Sequence, residues 1–341
     1  MILAYCVQTQ ATCFKFRECY AKGLRNHPLF RPYLALAAVC FFWGTTYLGI
    51  RMSLEAFAPL PLVSIRYIVS GTLMVLFALW KGLYLPRGRE LAAICLSGFF
   101  TLGIGNGALV FAEVTVPSGI AGLIITISPF WMVGMEALLP GGERLHAPTI
   151  GGMAVGLLGA CLLFTPDADT PTQQLGLLGG FLLLQFGMAG WSFGSIYQRR
   201  QAGKSHPVIA GAVQQLAAGL MLAPFALLFP GHPVQWSTRG VCALLYLVFF
   251  GSIVGYSAYS YALDRLPVAI VSIYPYVNAV VAVFLGWLFY REPFGPREAA
   301  AMLVIFAGVA LVKRYSRKQK SAAADELRPD SAARHAQPGD E

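Results

Sequence analysis

The stretch YLALAAVCFFWGTTYLGIRMSL, residues 33–54, runs 22 residues with Arg51 as its only charge. At 1.5 Å rise per residue a helix of that length reaches about 33 Å. The hydrocarbon core of a bilayer is about 30 Å thick. No water reaches that core to pair with N–H and C=O groups, so a crossing segment has to satisfy its backbone internally as a helix. Reading outward from this stretch, nine more apolar runs of similar character follow. They are Leu60–Trp80, Leu91–Ala112, Pro117–Leu139, Thr149–Thr165, Leu175–Tyr197, Pro207–Leu228, Val241–Ala262, Leu266–Tyr290 and Pro296–Val312. The expected fold class is an all-α integral membrane protein with ten transmembrane helices.

Composition points the same way. The chain of 341 residues is 57% hydrophobic and 12% charged, with a mean hydropathy of +0.62, whereas a soluble chain carries about 25% charged residues. The surplus apolar surface has to face lipid. The net charge of +9 is no nucleic-acid footprint, because the basic residues sort by side of the membrane. With the N-terminus placed in the cytoplasm, 20 Lys and Arg fall on the cytoplasmic side and 4 on the other, counting Arg51 and Arg297 at span ends with the outer side, and Arg66 is the one remaining basic residue, inside a span. The positive-inside rule then places both termini in the cytoplasm. Residues 1–32 lack the apolar core of a signal peptide and read as a cytoplasmic arm or an over-extended start. Residues 316–341, polar and Ala-rich, read as a disordered cytoplasmic tail. Of seven cysteines, Cys40, Cys95, Cys161 and Cys242 lie in spans, where Cys acts as a small hydrophobe. Cys6, Cys13 and Cys19 lack the spacing of a zinc site.

The chain repeats itself. A shift of 150 places Gly105 on Gly255, Ala108 on Ala258, Ala112 on Ala262, Pro117 on Pro267 and Ile120 on Ile270. A shift of 149 then continues with Glu143 on Glu292 and Gly159 on Gly308, and a shift of 148 places Trp43 on Trp191 and Arg51 on Arg199. Each half, 33–166 and 175–315, holds five spans. Five is odd, so the second copy enters the membrane upside down, the inverted-repeat plan of many secondary transporters, with a central site between the halves.

Several motifs carry a resemblance. They are Trp43-Gly44-Thr45-Thr46-Tyr47, Arg66-Tyr67, Ser128-Pro129 followed by Gly142-Glu143-Arg144-Leu145, and Tyr276-Val277-Asn278-Ala279 followed by Gly286-Trp287-Leu288-Phe289-Tyr290-Arg291-Glu292-Pro293. Each half resembles the EamA module of the drug/metabolite transporter superfamily. The family commonly has Pro after the Asn; here Ala279 stands in that place and Pro275 lies one turn earlier, which displaces any kink in helix nine.

Arg66 stands out, since a charge within a span costs roughly 2.5–3.5 kcal/mol on insertion scales. It lies about 9 Å below the outer end of its helix, level with Asn106 of helix three and with Thr46 and Tyr47 of helix one. Either it binds a substrate anion in a wet cavity, or it snorkels to the interface. The second half answers Arg66 with Gln214, beside Gln215; Gln185 and Asn278 lie nearer the midplane. Each amide lines a cavity or ties two helices together. Trp43 and Trp191 occupy equivalent positions and are candidate cavity walls. Pro129, Pro224 and Pro275 interrupt helix interiors. Gly103-Ile104-Gly105-Asn106-Gly107 lacks the preceding strand of a nucleotide loop and reads as close helix packing. Glu143 and Glu292 read as structural, bonding local backbone at helix ends. The substrate-binding set expected from sequence is Trp43, Tyr47, Arg66, Asn106, Gln185, Trp191, Gln214 and Asn278.

The residues support a polar cavity between two halves. The resemblance implies a secondary transporter exporting small organic metabolites such as amino acids. Carriage of phosphorylated sugars or cationic drugs is the alternative within the superfamily. A membrane-embedded enzyme would need a nucleophile and base, or metal ligands, at one depth, and all five histidines lie outside the spans. No cofactor or metal is expected, and no Walker loop is present. The expected partners are a small-molecule substrate, the lipid bilayer and a second copy of the chain, with nucleic acid excluded. Glu136 is the only carboxylate well inside a span, so coupling through it, exchange and facilitated diffusion stay open.

Overall fold

A computed structural model describes residues 29–140, 146–162, 171–201, 205–266, 271, 273–292 and 294–326. The described residues are helical, with turns and short loops between helices and no strand. In chain order the helices are α1 (Phe30–Leu54), α2 (Pro59–Trp80), α3 (Gly88–Ala112), α4 (Ser118–Leu138), α5 (Ala147–Cys161), α6 (Pro171–Arg200), α7 (Pro207–Leu228), α8 (Thr238–Tyr246, Leu247–Val254 and Gly255–Arg265), α9 (Tyr274–Tyr290) and α10 (Pro296–Glu326). Proline opens α2, α5, α7 and α9 within their first two residues, where its missing N–H costs nothing.

Seven of these, α1 to α4 and α6 to α8, are long and apolar enough to cross a membrane; α5 and α9 are apolar but shorter. The 15 residues of α5 reach about 22 Å, short of the hydrocarbon core. The end of the fifth apolar run and the start of the ninth fall outside the described residues, as do Glu143, Arg144, Pro267 and Ile270. α10 continues to Glu326, well into the stretch read as tail. That stretch, SRKQKSAAADE, is rich in Ala, Lys and Gln, which are good helix formers.

Small residues set the packing between halves. A Cβ added at Gly71 of α2 would lie 2.4 Å from the backbone N of Leu216 in α7, and one at Gly219 of α7 would lie 2.6 Å from the backbone N of Ile68 in α2. These two contacts are images of each other under the shift of 148. They also run in opposite register, since moving back along α2 moves forward along α7. The same holds between α5 and α10, where Gly152 meets Val312, Gly156 meets Gly308 and Gly159 meets Ile305. It holds again between α4 and α9, where Gly119 meets Val283 and Gly122 meets Ala279. Corresponding helices of the two halves therefore touch antiparallel. The remaining contacts obey the same symmetry: α1 packs on α8 and α9, as α6 packs on α3 and α4. Close approach at small residues is how helices associate where lipid supplies no hydrophobic drive.

Two helices carry a matching irregularity. Phe99–Asn106 of α3 and Leu247–Val254 of α8 are π-helical, and the two segments lie 148 residues apart. The sequence signals this only through Gly103 to Gly107, which falls largely inside the first of them. α4 is also not continuous. It breaks at Thr126 and Ile127 and restarts at Ser128 with Pro129 in its first turn. α9 likewise starts at Tyr274 with Pro275 in its first turn. Pro129 and Pro275 thus open helical segments instead of kinking helix interiors, because a proline lacks the donor that an interior turn needs. Pro224 alone of the three lies inside a helix.

Candidate functional site

The irregular segments converge on one cavity. It encloses about 820 Å³ including its mouth and is bounded by α1, α2, α3, α4, α6, α7, α8 and α9. The two breaks contribute Ile125, Ser128, Tyr274 and Asn278, and the two π segments contribute Leu102, Gly105, Asn106, Gly251 and Ser252. A π turn widens the helix and alters which carbonyls are paired. Here the exposed acceptors are used by side chains. Trp43 Nε1 donates to the Gly251 carbonyl at 2.9 Å, and Gln215 Nε2 to the Ser252 carbonyl at 3.5 Å.

Arg66 is 4% exposed and points into this cavity. Its Nε donates to Ser252 Oγ at 2.9 Å and its Nη1 to Asn106 Oδ1 at 3.3 Å. Its guanidinium carbon lies 5.1 Å from the ring centre of Tyr67. All of these partners are neutral. A buried guanidinium held by neutral groups keeps donors and charge for an anion. The alternative of snorkelling to an interface is not what the geometry has.

An aromatic cluster lines the same cavity. Trp43 and Trp191 meet edge to face with ring centres 6.1 Å apart, and Trp43 also contacts Tyr259 and Tyr274, each at 5.1 Å. The two tryptophans pack as symmetry demands. Trp43 lies against Gly255 of α8 and Trp191 against Gly105 of α3, the two glycines that the sequence shift superposes.

Of the eight residues expected at the site, six line the cavity: Trp43, Tyr47, Arg66, Asn106, Trp191 and Asn278. Asn278 also ties helices together. With its amide nitrogen turned toward them, it donates to the carbonyls of Tyr274 at 3.0 Å and Cys40 at 2.8 Å. Gln185 and Gln214 do not line it. Gln185 accepts from Trp131 Nε1 at 2.9 Å and joins α6 to α4. Gln214 faces α3, donating to Ser97 Oγ at 3.1 Å and accepting from the Tyr256 hydroxyl. Its neighbour Gln215 lines the cavity instead and accepts from Ser70 Oγ at 2.6 Å. Consecutive helical residues are turned about 100° apart, so only one of the pair can face inward. Sequence reasoning also passed over Ser252, although a polar residue beside Gly251 in the run LVFFGSIV was a visible signal.

The carboxylates are arranged differently from the sequence expectation. Glu136 is not a buried group. It bridges to Arg199 at 2.7 Å, with side chains 34% and 51% exposed, at the end of the bundle where α4 and α6 finish. Glu292 does not bond its local backbone. Its Oε1 accepts from Ser118 N at 2.9 Å and Ser118 Oγ at 2.8 Å, and its Oε2 from Gly119 N at 2.9 Å. It therefore caps the start of α4, where donors and helix dipole favour an anion. Arg291, in the left-handed region at φ 53°, closes α9 and turns Glu292 back toward α4. The buried carboxylate is Glu113, the first residue beyond α3, which is 0% exposed. It lay one residue outside the apolar run read as the third span.

The comparisons with known proteins agree with this architecture. A model of the EamA-like transporter family matches residues 30–165 and again residues 178–314. An uncharacterized inner membrane transporter YedA of Escherichia coli (strain K12) is 35% identical over 294 residues, covering 85% of this chain and 92% of YedA. A WAT1-related chloroplastic protein of Arabidopsis thaliana is 25% identical, covering 83% of this chain and 69% of that protein. Protein PecM of Dickeya dadantii is 25% identical over 82% of this chain and 92% of its own length. One solved crystal structure is similar in fold, with a TM-score of 0.60 and 21% identity, covering 84% of this chain and 98% of that one.

Proposed function

This chain belongs to the EamA-like transporter family, and from that premise we propose that it is a secondary exporter of small metabolites bearing a carboxylate, such as amino acids. It is a membrane transporter and not an enzyme. Its ten helices cross the inner membrane as two inverted five-helix repeats, 33–166 and 175–315, between a cytoplasmic arm (1–32) and a cytoplasmic tail (316–341). The site lies between the repeats, and alternating access follows from rocking one bundle against the other.

The observation that carries the reading is Arg66, buried in the cavity with neutral partners only. A carboxylate accepts from a guanidinium in two parallel bonds. Trp43, Trp191 and Tyr256 line the same space, and aromatic rings attract an ammonium group. An α-amino acid presents both charges at once. A phosphorylated sugar carries a second negative charge, and among the described residues lining the cavity Arg66 is the only cation.

The test is counterflow in liposomes across amino acids, phosphorylated sugars and cationic drugs, in both protein orientations. Exchange of amino acids, with cations and sugar phosphates excluded, is the expected result. Transport of cations alone would overturn the reading. Labelling of single cysteines placed in residues 84–88 and at the chain end checks the topology, and reaction from outside intact cells would reverse it.

A further inference from the structure

We propose that Glu113, one turn beyond the cavity-lining Leu109 of α3, is a proton-binding site, and that its protonation holds that end of the bundle, the outer end in the proposed topology, shut. The inference rests on the transporter reading for its meaning, but its observations are separate. Glu113 is fully buried, and both of its carboxylate oxygens lack a hydrogen-bond partner. An ionised carboxylate in such a place has lost its water and gained nothing in return, a cost of several kcal/mol.

The groups around it are arranged to leave it so. From α1, Arg51 Nη1 donates at 2.6 Å to the main-chain carbonyl of Glu113 and not to its carboxylate. Tyr47, one turn earlier on α1, is the other titratable neighbour from that helix. From α2, Arg66 is committed to Ser252 and Asn106. From the turn after α9, Glu292 adds a like charge. Three donors from Ser118 and Gly119 hold its carboxylate in place. Glu113 itself is the C-cap of α3, at the negative pole of the helix dipole. Burial, first, and the Glu292 charge, second, hold the Glu113 carboxyl well above the usual carboxylate range, against the smaller pull of Arg51 and Arg66.

The step is simple in chemistry. Outer opening admits water to Glu113, the O–H bond breaks, and the proton leaves to the outer solution; closure follows when a proton returns. The sign follows from linkage. Because the closed state binds the proton more tightly than the open state, closure is fully favoured below the ordinary carboxylate range. It loses that support as pH rises through the raised value.

Spin labels on cysteines at Leu175 and Trp236, both exposed and at the outer ends of the α6 and α8 bundles, report the opening in a cysteine-free background. A single short distance is expected at acid pH, with a longer population growing as pH rises. Glu113→Gln, a neutral mimic of the protonated acid, should keep the short distance throughout. Infrared spectra of the wild type at neutral pH should show a protonated-carboxyl band that Glu113→Gln removes and Glu113→Asp shifts. A distance distribution indifferent to pH, a pH response that survives in Glu113→Gln, or the lack of that band would each overturn the proposal. None of these measurements uses a substrate. Failure here with intact amino acid counterflow sinks the proton site alone, and the reverse sinks the substrate reading alone.

Discussion

Replacing Arg66 with Gln removes the one cation among the described residues lining the cavity while sparing its scaffold. A glutamine amide nitrogen takes the place of Arg66 Nε and can still donate to Ser252 Oγ, which Arg66 now reaches at 2.9 Å, so folding should survive. What is lost is the charge offered to a substrate carboxylate. Removing one partner of a buried, hydrogen-bonded charge pair costs about 2–5 kcal/mol. The cavity opens to water, which favours the lower end, and about 2 kcal/mol is roughly 30-fold in affinity. The assay is counterflow in liposomes with a range of amino acid concentrations, accompanied by thermal unfolding in detergent. A KM raised about 30-fold for carboxylates, with Tm little changed, is expected. Arg66→Lys should fall between, because an ammonium keeps the charge but loses the planar fork. An unchanged KM for every anionic substrate in a folded Arg66→Gln protein would refute the reasoning.

Two further outcomes follow from the packing. Gly308→Leu drives a side chain into α5, since even a Cβ at that position would lie 2.4 Å from the backbone N of Gly156; a loss of about 1–3 kcal/mol or outright misfolding should appear in detergent melts. Gly151→Ala, with open space around its Cβ, is the control and should melt as the wild type does. Gln214→Leu leaves the hydroxyls of Ser97 and Tyr256 without their shared amide and should lower stability by about 1–3 kcal/mol, whereas Gln215→Leu should weaken transport instead.

Much of the architecture was legible because lipid allows so few solutions. An apolar run such as 207–228 has to be a helix, and the helix found there has those same bounds. Depth was legible too. Counting residues from the helix ends placed Arg66 level with Asn106, and the two side chains meet. Direction around a helix was not. In a segment apolar on every side no stripe marks the inward face, so Gln214 and Gln215 read alike although they point to different neighbours. For Gln185 the reading left open a cavity or a tie between helices, and its bond to Trp131 of α4 makes it a tie. The π segments have no periodic signature, because one wide turn leaves the apolar run unbroken. Glu113 escaped because an apolar window stops at the first charge, which makes the residue look like a loop. Only the fold shows that it is fully buried, with Arg51 of α1 on its carbonyl.

The ion pair between Glu136 and Arg199 has a counterpart at the opposite end of the bundle, where Arg239 meets Glu55 at 3.4 Å with side chains 51% and 39% exposed. Dissolved salt reaches both pairs and weakens both, while the buried Arg66 site between them is screened far less. Ionic strength therefore slackens the two rims together and spares the middle.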